Sequence, residues 1–156
     1  MGLEVWQRTD EIFLSQGKHT VEILKKFGML NCKPMATPMV MNLKKSSVSS
    51  SDSDEIDLTL YRQLIGSLMY LVNPRPDICY AVSVLSQFMS QSRQTHWIVA
   101  KHVLRYLQGT VGHSLRYTPS IDMRLQGYTD SDWARSTMDR KSIFGCFFTL
   151  GYSMIS

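Results

Sequence analysis

The sequence has few cysteines, no long apolar run and no secretion signal at its start. Cys32, Cys79 and Cys146 are too far apart for a CxxC metal knuckle, and an odd number argues against a disulfide framework. No apolar run approaches the roughly 20 residues of a membrane span. Glu4 stands where a signal would begin its apolar core. We therefore expect an intracellular protein, not secreted and without membrane contact.

Several motifs of cofactor and substrate chemistry are also missing. There is no GxxxxGK[ST] loop, no GxGxxG fingerprint and no GxSxG elbow, and no two aspartates are adjacent. His96, His102 and His113 share no metal-ligand spacing, and a helix-start or packing role explains His96 beside Trp97. We therefore expect no bound cofactor and no small-molecule substrate.

The charge that is present is unevenly distributed. The 156 residues carry 17 Lys and Arg against 13 Asp and Glu, a formal net charge of +4. Four of the acids fall within residues 46–57, which have no Lys or Arg, so 17 bases face 9 acids elsewhere. A basic folded body favours contact with phosphate, although an ordinary solvated surface explains the charge equally well.

The first part of the chain has the pattern of a hairpin followed by a helix. Apolar and polar residues alternate over residues 3–8, a polar turn covers 9–11, and 12–14 form a return strand. Thr20 is a candidate helix cap and Gly28 a candidate helix end. Residues 43–57 are rich in serine and aspartate, which predicts a flexible linker.

Three amphipathic helices are expected next, each with one apolar stripe at helical spacing. The stripes are Tyr61, Ile65, Leu68, Met69 and Val72; then Ile78, Val82, Leu85 and Met89; then Trp97, Ala100, Val103, Leu104 and Leu107. Pro76 suits the first turn of the second helix. The third helix, over residues 95–108, carries Lys101 and Arg105 on its other side, one turn apart.

After Gly112 the apolar period changes from helical to two, which predicts strands at residues 115–117, 125–129, 144–150 and 154–155. The fold class is therefore α+β. Four regions are expected: a hairpin and helix over 1–42, the linker over 43–57, a helical region over 58–112, and a sheet over 113–156.

Asp130 and Asp132 are the candidate metal ligands. They end a predicted strand, in the run Tyr-Thr-Asp-Ser-Asp-Trp. Two-metal nucleases hold Mg²⁺ with several carboxylates, but such a site needs about three or four converging acids. A solvated strand end explains the same pattern.

Several blocks of the sequence resemble the Pol polyprotein of copia-type LTR retrotransposons. LEVWQRTDEIFLSQGKHTVEILKKFGMLNCKPMATPM is similar to the end of its reverse transcriptase. YRQLIGSLMYLVNPRPDICYAVSVLSQFMS and HWIVAKHVLRYLQGT are similar to the region that follows. GYTDSDWARSTMDRKSIFGCFFTLG resembles the opening of its RNase H domain. The blocks occur in order from about Leu3 to Ser156.

The resemblance implies a truncated RNase H-like antiparallel sheet at the end of an incomplete catalytic apparatus. The family's polymerase site uses two adjacent aspartates, which this sequence lacks. Asp130 matches the first RNase H carboxylate and Asp132 the next acid of that motif, while the remaining ligands would lie beyond Ser156. We expect a vestigial Mg²⁺ site and neither polymerase nor nuclease activity, because one or two carboxylates cannot hold two ions.

In an intact polyprotein the equivalent helices would follow the backbone of an RNA–DNA hybrid. The candidate phosphate contacts are Arg93, Lys101, Arg105, Arg140 and Lys141. Exposed charge on an amphipathic helix explains each of them at least as well. We expect at most weak binding to nucleic acid.

Two other interpretations are weighed. In the first interpretation, the chain is a co-opted binding or effector-like interaction protein, although it has no Arg-x-Leu-Arg entry motif. In the second it completes a nuclease site of another chain, which we disfavour because a sheet cut short leaves an open edge that favours aggregation.

Overall fold

Secondary structure in the computed structural model is described for residues 2–39, 57–118, 124–132, 143–151 and 153–154. The helices are α1 (Gly17–Lys26), α2 (Leu58–Leu71), α3 (Cys79–Ser86) and α4 (Gln94–Gly109), with a 3₁₀ turn at Pro76–Ile78 before α3. The strands are β1 (Glu4–Arg8), β2 (Glu11–Ser15), β3 (Leu115–Tyr117), β4 (Leu125–Asp132), β5 (Ile143–Leu150) and β6 (Ser153–Met154). Among the helices that the structure describes, no membrane-spanning candidate is found.

The chain divides into two compact units, of which the first contains all four helices. It takes Met1–Glu4 and Ser15–Ser114, and the second takes Val5–Leu14 and Leu115–Ser156. The mixed α and β content confirms the coarse fold class expected from the sequence. The RNase H-like assignment of the later strands stays a prediction.

The hydrophobic core of the described residues lies in the helical unit. It is built from Ile23, Leu24, Tyr61, Leu64, Ile65, Leu68, Leu71, Ile78, Ala81, Val82, Leu85, Val99, Ala100, Val103, Tyr106, Leu104 and Leu107. Most of the predicted apolar stripes are therefore buried. Met69 is an exception, with half of its surface exposed. The buried stripe of α2 runs through Leu64, Leu68 and Leu71, because these residues follow the three- and four-residue steps of one helix face.

Two helix starts differ from the sequence expectations. Helix α1 begins at Gly17, so Thr20 lies inside it, where its hydroxyl donates to the Gln16 carbonyl at 2.9 Å. Asp57, expected at the end of the linker, is the N-cap of α2, and its Oδ1 accepts from the backbone N–H of Thr59 at 2.8 Å. The rest of the predicted linker, residues 43–56, lies outside the described residues.

Gly28 ends α1 as the sequence predicts. Its φ of 67° is in the left-handed region, which glycine adopts without the steric cost that a Cβ brings. The turn allows the chain to leave the helix and continue through residues 30–39. This segment lies along α4: the Met35 N–H donates to the Arg105 carbonyl at 3.3 Å, and His102 Nε2 donates to the Thr37 carbonyl at 2.9 Å.

The strands form two three-stranded sheets, with orders β1-β2-β3 and β4-β5-β6. Strand β3, which we expected to belong with the later strands, pairs antiparallel with β2, placing Phe13 opposite Arg116. An ion pair between Arg116 and Glu11 accompanies that register. Sequence periodicity identifies a strand but not its partner, because pairing depends on contacts between distant residues.

The second sheet is a long antiparallel pair extended by a short strand. Leu125 of β4 lies opposite Leu150 of β5, and the pairing continues to Asp132 opposite Ile143. Strand β6 adds to β5. The Tyr117 hydroxyl of β3 donates to the Met154 carbonyl of β6 at 2.6 Å, so the two sheets make contact within the second unit.

Candidate nucleic-acid interface

Helix α4 separates an apolar face from a basic one. Val103, Leu104 and Leu107 are buried in the core, whereas Lys101 and Arg105 are half-buried on another side of the helix. The helix contains no aspartate or glutamate over its 16 residues. A phosphate approaching this side therefore meets no like charge from α4 itself.

Lys101 is held against an aromatic ring. Its Nζ lies 5.4 Å from the centroid of the Trp97 ring, one helical turn earlier. The negative face of an indole ring attracts an ammonium group, and a contact at this distance is worth about 0.5–1 kcal/mol at an exposed site. The contact restricts the side chain but leaves the positive charge in place.

Arg105 carries a positive charge and also forms a hydrogen bond that helps to hold the fold together. Its Nε donates to the Lys33 carbonyl at 2.8 Å, and its own carbonyl accepts from the Met35 N–H. The guanidinium therefore fastens residues 30–39 to α4. Lys101 and Arg105 are both on the helix side that the sequence predicted, but Arg105 is in addition a packing residue.

Arg93 precedes the first turn of α4 and is exposed. Its backbone N–H donates to Nδ1 of His96 at 3.0 Å, and the His96 ring stacks on Phe88 with centroids 3.9 Å apart. His96 is thus a packing and helix-start residue, as the sequence suggested.

Four of the predicted site residues fall in or near the second unit. Asp130 and Asp132 occupy β4, with their backbones opposite Gly145 and Ile143. Arg140 and Lys141 lie outside the described residues. In the part of the chain that the structure describes, no three His, Cys, Asp or Glu side chains come together as a metal-binding group.

Sequence reasoning missed a buried polar network centred on Arg75, which is only 3% exposed. Its Nε and Nη2 donate to the two carboxylate oxygens of Asp77 at 3.0 and 2.8 Å. Its Nη1 donates to the Thr110 carbonyl at 3.0 Å, and Nη2 also reaches the Thr110 hydroxyl at 2.7 Å. The Tyr106 hydroxyl donates to Asp77 at 2.7 Å. The network ties the 3₁₀ turn to the end of α4.

The network also shifts the pKa values of Asp77 and Tyr106. Burial by itself would raise the pKa of Asp77, but hydrogen bonds from Arg75 and Tyr106 and the charge of Arg75 outweigh it and hold that pKa below its usual value. Burial and the bond to Asp77 raise the pKa of Tyr106. The one signal of this network in the sequence is the triplet Arg75-Pro76-Asp77. It shows that two opposite charges are close together, but it does not show that they are buried.

The described part of the helical unit is basic as a whole. It carries nine Lys and Arg residues against four acids, Glu4, Glu22, Asp57 and Asp77. Asp57 caps α2 and Asp77 is paired with Arg75. The excess positive charge gives this unit a favourable long-range field for a polyanion.

Comparison with known proteins identifies relatives along the whole chain. An uncharacterized mitochondrial protein of Arabidopsis thaliana, AtMg00810, is 37% identical over 156 residues, which are all of this chain and 64% of that protein. The retrovirus-related Pol polyprotein from transposon RE2 of Arabidopsis thaliana is 39% identical over 156 residues, again all of this chain but 11% of the polyprotein. Secreted RxLR effector protein 161 of Plasmopara viticola is 44% identical over 97 residues, 62% of this chain and 68% of that protein.

The chain thus spans less than two thirds of the first two relatives. No family model and no solved structure matches it. The resemblance identified from the sequence is confirmed by identity that extends over the full chain. Over its whole length this chain is therefore a homologue of part of the retrovirus-related Pol polyproteins of copia-type transposons.

Proposed function

We propose that this retroelement-derived chain binds the phosphate backbone of nucleic acid weakly through the basic side of α4. The observation that carries the proposal is the charge pattern: Lys101 and Arg105 are one turn apart on a helix without acids, within a unit of excess positive charge. Cations that neutralise phosphates release counterions, which drives binding that is independent of base sequence. Such binding would take place inside the cell that makes the protein.

The proposed ligand is an RNA–DNA hybrid, in keeping with the Pol family. A small number of lysines and arginines supplies a small number of phosphate contacts, so we expect an affinity typical of non-specific binding, about 10–100 µM near physiological salt. Arg93 at the start of α4 and Arg140 and Lys141 further along the chain are candidates for additional contacts.

Fluorescence anisotropy of a labelled RNA–DNA hybrid tests this proposal. We expect binding of the full chain at about 20 mM salt and a linear fall of log K with log salt, with a slope of about −0.9 for each phosphate contacted. Hybrids of unrelated sequence should bind equally. Absence of binding at low salt, or binding that is insensitive to salt, would contradict the proposal.

We also propose that this chain catalyses neither polymerisation nor RNA cleavage by itself. The sequence has no adjacent pair of aspartates, and Asp130 and Asp132 are the only acids that match the family's nuclease motif. Two-metal chemistry needs several shared carboxylates at fixed separation. Incubation with Mg²⁺ and a labelled hybrid should release no fragment above buffer, and a primer should not be extended. Cleavage that is lost in Asp130→Asn would contradict the proposal.

A second candidate is a co-opted interaction protein. The specific observation is the 44% identity to a protein named as a secreted RxLR effector, of which this chain covers 68%. The two candidates differ in what they bind. A host protein that binds the chain at high salt, together with no affinity for nucleic acid at low salt, would favour the interaction protein.

A further inference from the structure

We propose that the C-terminal end of α1 and the first half of α4 form a clamp for phosphate groups, an inference that rests on the proposed binding of nucleic acid. The clamp consists of Lys26 and Phe27 at the end of α1 and Trp97 and Lys101 of α4. It assigns a role to Lys26, which sequence reasoning did not single out, and it specifies what the site recognises: the sugar–phosphate backbone and not the bases.

The first step of the argument is an aromatic pair that joins the two helices. The ring centroids of Phe27 and Trp97 lie 6.4 Å apart, with an interplanar angle of 67°, an edge-to-face arrangement. Both rings are half-buried and pack against the hydrophobic core. The packing that holds α1 and α4 together therefore also holds these two rings, so the rings are a rigid part of this surface.

The second step is that each ring carries an ammonium group. Lys26 Nζ lies 5.6 Å from the centroid of the Phe27 ring, and Lys101 Nζ lies 5.4 Å from that of Trp97. A free lysine loses up to about 2 kcal/mol of conformational entropy when it is fixed. Here the rings already restrict both side chains, so less entropy is lost when a phosphate binds.

The third step is the charge around the clamp. Helix α4 has no acid, and the last turn of α1 contains Lys25 beside Lys26. Glu22 is the acid of α1, one turn before Lys26, and its Oε2 lies 3.5 Å from Nδ1 of His19, toward the start of the helix. Arg105 follows Lys101 by one turn. Around the clamp, α1 and α4 therefore contribute Lys25 and Arg105 as further cations and Glu22 as their one acid.

The geometry favours backbone contact over base stacking. Base stacking needs an open, flat aromatic face, as in proteins that bind single strands. The edge-to-face packing, the partial burial and the two ammonium groups already occupy much of the surface of both rings. The groups presented to a ligand are thus cations, which suit phosphodiester oxygens.

Single charge-removing variants test the assignment. In the anisotropy assay at about 50 mM salt, K26Q and K101Q should each weaken binding of an RNA–DNA hybrid about threefold and reduce the salt slope by about 0.9. K18Q removes the same charge from the same helix α1, eight residues or about 12 Å from Lys26, and should change binding less than twofold. Circular dichroism confirms that each variant is folded.

A substitution of Trp97, which keeps both lysine charges, tests the role of the ring that lies beneath Lys101. W97L should weaken binding about twofold to threefold because Lys101 loses the ring beneath it, whereas W97F should bind almost as the parent does. A strand of abasic sites, which retains its phosphates, should bind as tightly as a single strand of the same length with bases. Binding that disappears with the bases would overturn the backbone assignment.

The possible failures are distinguishable. If the parent chain binds no nucleic acid at low salt, the proposed function fails and the clamp fails with it. If the parent binds but K26Q and K101Q behave like K18Q, the proposed function stands and the clamp is wrong. If K26Q and K101Q lose affinity while K18Q does not, the clamp is supported.

Discussion

At the scale of single residues, Arg75 shows how a charged side chain can be buried. A guanidinium with 3% exposure is stable in a protein only if its donors are satisfied, and here a bidentate carboxylate, a hydroxyl and a carbonyl satisfy four of its bonds. The carbonyl belongs to Thr110, at the end of α4, where a positive charge is favourable for the helix dipole.

We predict that Asp77→Asn destabilises the protein. The substitution leaves the Arg75 charge buried without its counter-charge, at a cost of about 2 kcal/mol, below the cost of a fully buried pair because a third of the Asp77 side chain is exposed. Tyr106→Phe removes only the hydroxyl bond and should cost about 1 kcal/mol. Urea unfolding measures both. Equal stability of Asp77→Asn and the parent would contradict the assigned role.

The same pair predicts a pH dependence. The pKa of Asp77 is lower in the folded protein than in the unfolded chain. Its ionised carboxylate therefore contributes fully to the free energy of unfolding above the pKa of the unfolded chain, about 3.9. This contribution is lost as the pH falls through the lower, folded pKa. Urea midpoints measured from pH 6 downward should therefore fall more steeply for the parent than for Asp77→Asn.

At the scale of elements, two glycines in helices have opposite surroundings. A Cβ on Gly109, in the last turn of α4, would lie 2.9 Å from Cβ of Pro34, whose ring cannot move aside as a flexible side chain does. A Cβ on Gly66 of α2 would meet nothing within 4 Å. The close approach at Gly109 is what allows residues 30–39 to lie along α4.

We predict opposite effects of alanine at these positions. Gly66→Ala should stabilise the protein by about 0.5–1 kcal/mol, because alanine has the higher helix propensity. Gly109→Ala gains the same propensity but clashes with Pro34, and should destabilise by about 1–3 kcal/mol. Thermal unfolding compares the two variants. A stabilised Gly109→Ala would show that Pro34 does not pack closely against α4.

At the scale of the whole molecule, the described residues differ in how much apolar surface they bury. Every buried hydrophobic residue of the described chain belongs to the helical unit. Strands β1 to β3 are half-buried or exposed at all of their hydrophobic positions. Local stability follows buried apolar contacts, so the two units should open at different free energies.

Amide hydrogen exchange checks this difference. We predict the slowest exchange in α2 and α4, which contribute most of the core, and exchange faster by at least about tenfold in β1 to β3. Peptide-resolved mass spectrometry at neutral pH measures both. Equal protection of strands and helices would indicate that the molecule opens as a single unit.

The sequence predicted much of the helical unit and less of the candidate site. Periodic apolar residues identified the helices, and lysine and arginine on the other side of α4 identified one basic surface. Lys26 was not identified, because its relation to Lys101 depends on Phe27 meeting Trp97 across two helices. The burial of Arg75 was also missed, since its partners include Thr110, 35 residues away.

The helices, the hairpin, the left-handed end of α1 at Gly28 and the excess of positive charge are all specified locally in the sequence. These features follow from local periodicity, from backbone preferences and from composition. Three features become visible only in the folded chain: β3 pairs with β2, Arg75 lies buried against Asp77, and Lys26 and Lys101 lie over the two rings of one aromatic pair. Each of these depends on residues far apart in the chain, which meet because burying the apolar faces of α1, α2, α3 and α4 brings them together.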